Sequence, residues 1–287
     1  MNELTNLRMG FHRRLINSAI YIETNDLGIR YPNFADSGKK SSVNIAWGIV
    51  NHLGYPIPDR SLNIKVTEEN FENTTRDFLQ SSFDLLLHLR PGEWHYSTGL
   101  AISEFDQYEH LAEIERLVKG NAELATALGK EYIIAPDIVV GRFPVKDAEI
   151  NSHQQILSSS DGVATFTPLR SSNFTKPHYI LHASISCKWT FRSDRGQNAR
   201  TEALNLIRHR KGHLPHIVAV TAEPLPTRIA SLALGTGDLD CVYHFALHEM
   251  KEAIRETGNE DQMDMLDTLI VGRRLRDISD LPFDLAI

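Results

Sequence analysis

The sequence predicts an α/β fold in which a mixed central β-sheet is flanked by helices. Three observations carry this. Apolar residues recur at helical spacing in the first 130 residues and again in the C-terminal third. Three short runs rich in β-branched residues, at 132–140, 179–191 and 216–221, lie between them. The order is helices, strand, strand, helix, strand, helices, as expected of a mixed sheet with helical cover.

Each element has its own signal. The run NFADSGKKSS at 33–42 is polar and reads as a loop. Beyond it, Phe71, Phe78, Leu85, Leu86 and Leu89 make one helical face. Thr67 is a candidate cap for that helix, Glu68 and Glu69 suit its positive end, and Arg90-Pro91-Gly92 stops it. Ser103, with Asp106 three residues on, opens a second helix that Gly120 closes. A third, at 122–128, ends at Gly129. The run YIIAPDIVV at 132–140 reads as a strand, and 143–177, rich in serine and broken by prolines, as irregular chain. In 179–191 the pattern alternates. Ile180, His182, Ser184, Ser186 and Lys188 fall on one face, and Leu181, Ala183, Ile185 and Cys187 on the other. A helix over 198–209 carries the stripe Ala199, Ala203, Leu206 and Ile207. The run HIVAVT at 216–221 has the composition of a buried strand, and 248–256 and 261–271 read as helices. Without repeats, low-complexity tracts or a Pro/Ser linker, the expected organisation is a single domain over 1–287.

Composition narrows the function classes. Of 287 residues, 41% are hydrophobic and 23% charged, as in soluble globular proteins. No run has the length of a signal peptide or a membrane span, which gives the expectation of a cytoplasmic protein without a membrane partner. Two cysteines cannot frame a disulfide scaffold, and 13 histidines without a Cys/His cluster give no zinc signature. The net charge of −7 argues against a nucleic-acid binder until its distribution is seen. From Lys188 to Arg228 there are eight basic and three acidic residues, whereas 238–287 holds 12 acidic and five basic. A basic segment thus sits in an acidic body, by chance or as an electrostatic footprint.

Phosphodiester hydrolysis needs a divalent metal beside the phosphate, held by a few carboxylates, and a lysine helps to orient water. Asp137 follows a proline in an otherwise apolar run, and Lys188 lies 51 residues on. This is the skeleton of the PD-(D/E)xK nucleases, although a structural Asp137–Lys188 ion pair has the same signature. The acidic position two before the lysine is Ser186, which cannot supply a negative charge. Glu202, 14 residues after Lys188 and beside the apolar stripe, is a candidate replacement, with a surface position near Arg200 as the alternative. Glu72 has a similar place beside Phe71, where it could instead pair with Arg76 one helical turn on. Arg192, Ser193, Asp194 and Arg195 follow the strand. Arginine grips guanine with two donors and a carboxylate accepts from cytosine, so the set suits major-groove reading or, alternatively, local pairing in a loop. Cys187 reads as a small core residue.

The run from His182 to Pro224 resembles the NgoMIV-type restriction endonucleases of the CCGG-core group. So do APDI at 135–138, RPGEW at 90–94, ALGTGDLDCVYHFAL at 233–247 and DISDLPFDLAI at the C-terminus. The resemblance implies a PD-(D/E)xK restriction-endonuclease-like core. It implies a catalytic set of Glu72, Asp137, Ser186, Lys188 and Glu202. It implies Mg²⁺, two per active site, on Asp137, Glu72, Glu202 and the Cys187 carbonyl. Arg192, Ser193, Asp194 and Arg195 would read the CCGG core. Arg228, with Asp36 and Ser37, would read the outer pair, giving GCCGGC. The partners it implies are double-stranded DNA and further copies of the chain in a dimer of dimers, with a cognate methyltransferase in the host. The alternatives are a repair nuclease that reads structure and a DNA-binding protein without catalysis.

Overall fold

The computed structural model describes residues 1–58, 60, 62–121, 123, 135–158, 160–191, 195–235 and 237–287, with backbone only at 115, 119 and 195–197. The helices are α1 (Glu3–Ser18), α2 (Lys40–Leu53), α3 (Ile64–Asp84), α4 (Leu111–Gly120), α5 (Asp147–Ile150), α6 (Arg195–His209), α7 (Pro226–Ala233), α8 (Leu247–Thr257), α9 (Glu260–Val271) and α10 (Leu281–Leu285). The strands are β1 (Ile22–Thr24), β2 (Arg30–Pro32), β3 (Trp94–Thr98), β4 (Ile138–Arg142), β5 (Ile180–Lys188), β6 (His216–Thr221), β7 (Cys241–His244) and β8 (Leu275–Asp277). β1 and β2 pair as a small antiparallel ribbon. The other six form one mixed sheet in the order β3-β4-β5-β6-β7-β8. Its β3-β4-β5 side is antiparallel and its β5-β6-β7-β8 side parallel. The expected mixed α/β sheet with helical cover is therefore present.

β5 is the strand around which the rest is arranged. It alternates as its sequence predicts, but both of its faces are covered, and only its two ends are partly exposed. A parallel-side strand is packed by helices above and below, so its polar residues must find partners inside. His182 does so by bonding the Leu285 carbonyl at 2.7 Å. Helix pairs brace the sheet: α1 lies on α3 and α2 on α8. The second contact is close because position 48 is glycine. A Cβ there would meet the Ala253 Cβ at 2.5 Å and its Cα at 3.1 Å. Arg8 ties α1 to the far sheet edge through two bidentate pairs, with Glu249 at 2.7–2.8 Å and Asp277 at 2.7–2.9 Å.

Several boundaries differ from the sequence expectation. Helix α3 starts at Ile64 with Asn63 as its cap, and Thr67 is an interior residue whose hydroxyl donates to the Asn63 carbonyl. The helix ends at Asp84, which leaves Leu85 and Leu89 exposed beyond it. The segment from Ser103 forms short 3₁₀ turns, and α4 begins only at Leu111. The loop expected over 33–42 ends at Lys40, where α2 begins. β4 begins at Ile138, so Asp137 precedes the strand rather than lying within it. The helix expected at 122–128 and the start of the 132–140 strand fall outside the described residues. The described residues of 143–177 are irregular apart from α5 and one 3₁₀ turn, and are held by a bidentate Arg170–Asp147 pair at 2.7 Å. Among the described residues, no helix is long and apolar enough to cross a membrane.

Candidate active site

The end of β5 brings the chemistry together. β4 and β5 run antiparallel with Ile138 opposite Ile185, so one step further the register sets Asp137 opposite Ser186. The Asp137 Oδ2 accepts from the Cys187 backbone N–H at 2.7 Å, from the Lys188 Nζ at 3.1 Å and from the Ser186 hydroxyl at 3.4 Å. Both the skeleton and the alternative ion-pair reading are thus visible in one contact. What separates them is the neighbourhood.

Two helices carry further carboxylates to the same point. Phe71 on α3 packs edge-on against Trp189, just past β5, with ring centroids 5.1 Å apart. That contact seats α3 over the strand end and turns the adjoining Glu72 toward it, with Glu68 one turn earlier. On α6, Ala199 and Ala203 are buried, and the residues beside them, Asn198 and Glu202, face the same opening. The result is a cavity of about 210 Å³ lined by Glu68, Glu72, Asp137, Cys187, Lys188, Asn198 and Glu202. Glu72 does not take the alternative pairing with Arg76, which bonds Asn73 and Asp77. Arg200 points elsewhere, to the Ser231 carbonyl at 2.7 Å.

The electrostatics are those of crowded acids. Burial, then the Asp137 charge, pushes the Glu72 carboxyl up to about 7 against the pull of Lys188. Glu202 is raised as well, by burial and by Asp137, again opposed by Lys188. Burial works against the charge on Lys188, but Asp137 and Glu202 outweigh it and raise its ammonium. Burial drives the Cys187 thiol well above its usual range, so it stays protonated and is no nucleophile.

Among the described residues, no group of three His, Cys, Asp or Glu side chains forms a ready-made metal cage. The donor set still suits one class of ion. Carboxylate oxygens that repel one another around an open cavity fit a hard divalent cation such as Mg²⁺, which keeps several waters and takes one or two protein carboxylates. A larger cavity of about 450 Å³ lies by β8, but none of the candidate catalytic, metal-binding or DNA-reading residues lines it. Two of its cations are committed to ion pairs, Lys251 with Asp267 and Arg276 with Asp284.

The expected DNA readers are placed in part. Arg192, Ser193 and Asp194 lie outside the described residues, and of Arg195 only the backbone, at the start of α6, is described. Arg228, near the start of α7, bonds Asp36 across 192 positions of sequence, and Ser37 is exposed beside it. β5 and β6 are parallel with Lys188 opposite Thr221, so the segments leaving both strands emerge at the end of the sheet where the Asp137–Lys188 cavity lies. Glu68, which the sequence offers only as an acid at a helix start, and Asn198, which it does not mark at all, each sit one helical turn before a singled-out glutamate. Glu223, which is buried beside Arg228, had no sequence signal.

Comparison with known proteins adds to this geometry. Residues 11–287 match the NgoMIV restriction enzyme family. The chain is 46% identical over 293 residues to the type II restriction enzyme NgoMIV of Neisseria gonorrhoeae, and the match covers all of both chains. A solved restriction endonuclease PspGI–substrate DNA complex is similar at 12% identity and a TM-score of 0.29, over 99% of this chain and 92% of that one. That likeness is too distant to carry functional detail.

Proposed function

This chain belongs to the NgoMIV restriction enzyme family and is a type II restriction endonuclease, a site-specific deoxyribonuclease, and from that premise we propose how it acts. It cuts both strands of a palindromic CCGG-core site, GCCGGC, with Mg²⁺, and leaves 5′-phosphate and 3′-hydroxyl ends. The observation that carries this reading is the cavity where Asp137 and Lys188 meet at 3.1 Å, with Glu72 and Glu202 on its rim.

Asp137, Glu72, Glu202 and the Cys187 carbonyl would hold Mg²⁺, two ions per site. When bound, such an ion polarises a phosphate and acidifies a water. Asp137 fixes the Lys188 ammonium through its 3.1 Å bond, and its second oxygen takes no part in the contacts to Cys187, Ser186 and Lys188. Lys188, fully charged at neutral pH, orients the attacking water and opposes the negative charge that grows on the phosphate oxygens. Water oxygen bonds to phosphorus as it gives up a proton to solvent, the P–O3′ bond breaks, and the 3′ oxygen takes a proton from solvent to leave as a hydroxyl. Ser186 holds the near side of Asp137 in place of the usual acid, whose charge Glu202 supplies from α6.

Arg192, Ser193, Asp194 and Arg195 read the inner four bases, and Arg228 with Asp36 and Ser37 the outer pair. A two-fold site calls for a two-fold protein, and the assembly is a dimer of dimers. The exposed apolar residues Ile156, Val163, Leu169 and Phe174, with the fully projecting Phe166, support contact between copies along 143–177. The whole chain, 1–287, acts as one domain in the cytoplasm, and its host protects the same site with a methyltransferase. The test is a digest of a plasmid of known sequence with Mg²⁺, followed by sequencing of the ends. Cuts confined to GCCGGC are expected. Cuts without a consensus would favour a structure-reading nuclease, and no cutting a silent binder.

A further inference from the structure

We propose that Glu223 is a positioning residue for DNA recognition, a buried carboxylate that fixes the segment entering the inner reader relative to the arginine of the outer reader. The inference rests on the functional reading above. β6 ends at Thr221, and Glu223 follows in the turn that leads to α7. Its side chain is 1% exposed. A carboxylate buried that deeply is costly unless its oxygens find donors.

Glu223 finds donors on both sides. Its Oε2 accepts the Phe191 backbone N–H at 3.0 Å, and Phe191 is the last residue before Arg192. Its Oε1 accepts the Leu225 N–H at 3.2 Å, which folds the turn into α7. The Arg228 Nη1 stands 3.8 Å from Oε2, while the Nη2 of the same guanidinium bonds Asp36. One side chain therefore touches the chain leaving β5, the chain leaving β6 and the side chain of Arg228. Its own burial keeps it from touching DNA.

The two acids around Arg228 are unequal. The Asp36 side chain is 31% exposed and Glu223 is closed off, so Glu223 is the fixed end of the clamp and Asp36 the end that can yield. A guanidinium has five donors, and reading guanine uses two of them. Arg228 can thus turn its Asp36 side to a base while Glu223 keeps it aimed. Burial, opposed by the Phe191 N–H and Arg228, pushes the Glu223 carboxyl up to about 7, so its grip is complete only above neutral pH.

Glu223→Gln removes the charge and can no longer accept at both ends. The experiment compares initial cleavage rates on two duplexes, one holding GCCGGC and one ACCGGT, using the full chain with Mg²⁺. Wild type must first prefer the first duplex; equal cleavage of the two, or cleavage of neither, would sink the functional reading before any variant is made. Given that preference, Glu223→Gln is expected to fold, by circular dichroism, and to narrow the rate ratio by roughly tenfold, the effect of about one lost base contact. Glu223→Asp, which keeps the charge, is expected to fall between the two. In an Arg228→Ala background, Glu223→Gln should narrow the ratio no further. An unchanged ratio in folded Glu223→Gln, or losses that multiply with Arg228→Ala, overturns the proposal. If Glu223→Gln does not fold, Glu223→Asp decides alone: a narrowed ratio supports the role and a wild-type ratio overturns it.

Discussion

The buried Glu223 makes a stability prediction that needs no DNA. Its carboxyl is raised from the ordinary 4.5 to about 7, chiefly by burial. Below about pH 4.5 it is protonated in both the folded and the unfolded chain. Between 4.5 and 7 the unfolded chain releases the proton and the folded chain keeps it, so stability falls as pH rises. Above 7 both forms are ionised and the loss levels off. At about 1.4 kcal/mol per pH unit, that window makes wild type lose about 3 kcal/mol through this one group. Glu223→Gln cannot titrate there, and titrations shared by the two proteins cancel in their difference. Urea unfolding of both metal-free proteins at pH 4.5, 5.5, 6.5 and 7.5 measures it. Wild type should lose ground to the variant steadily and then run parallel to it. Curves that stay parallel over the whole range would refute the burial argument.

Three further perturbations test the frame around the site. Gly48→Ala drives a methyl to 2.5 Å from the Ala253 Cβ and should cost about 1–3 kcal/mol in urea unfolding, with cleavage intact below the transition. Arg8→Ala strands the buried Asp277 and its neighbour Glu249 and should cost about 3–5 kcal/mol near neutral pH. Asp277 is held at about 2, so in wild type its contribution is present above the ordinary carboxylate value and fades as the pH falls toward 2; acid unfolding should come earlier in the variant. Cys187→Ala leaves the backbone donor to Asp137 in place, so its cleavage rate should stay close to wild type, and a hundredfold loss would mean that the thiol itself takes part.

The candidate site is more legible in the sequence than the sheet is. The alternation of β5 fixed which residues lie beside Lys188, because a two-residue period leaves no freedom once the strand is identified. It could not show that both faces are covered, since Ser184 and Ser186 look solvated until helices close over them. β7 and β8 are four and three residues long, too short for a periodic signal, and are recognisable only by their parallel pairing with β6 and with each other. The start of α3 is ambiguous in the sequence because Thr67 and Asn63 are both capping types, and only the hydrogen bonds tell them apart. Asp137 was legible as an oddity in an apolar run, and Glu72 and Glu202 as acids beside buried positions. Glu223 was not legible: its role comes from burial against Phe191 and Arg228, residues 32 positions before it and 5 after it.

Cleavage is proposed to take place at the Asp137–Lys188 cavity. The most direct test is single-turnover cleavage of a GCCGGC duplex with Mg²⁺ by Lys188→Ala, with binding of the same duplex measured alongside. Binding should be retained and cleavage slowed at least roughly a hundredfold, the usual effect of losing a group that stabilises charge in the transition state. Cleavage at the wild-type rate by the folded variant would contradict it.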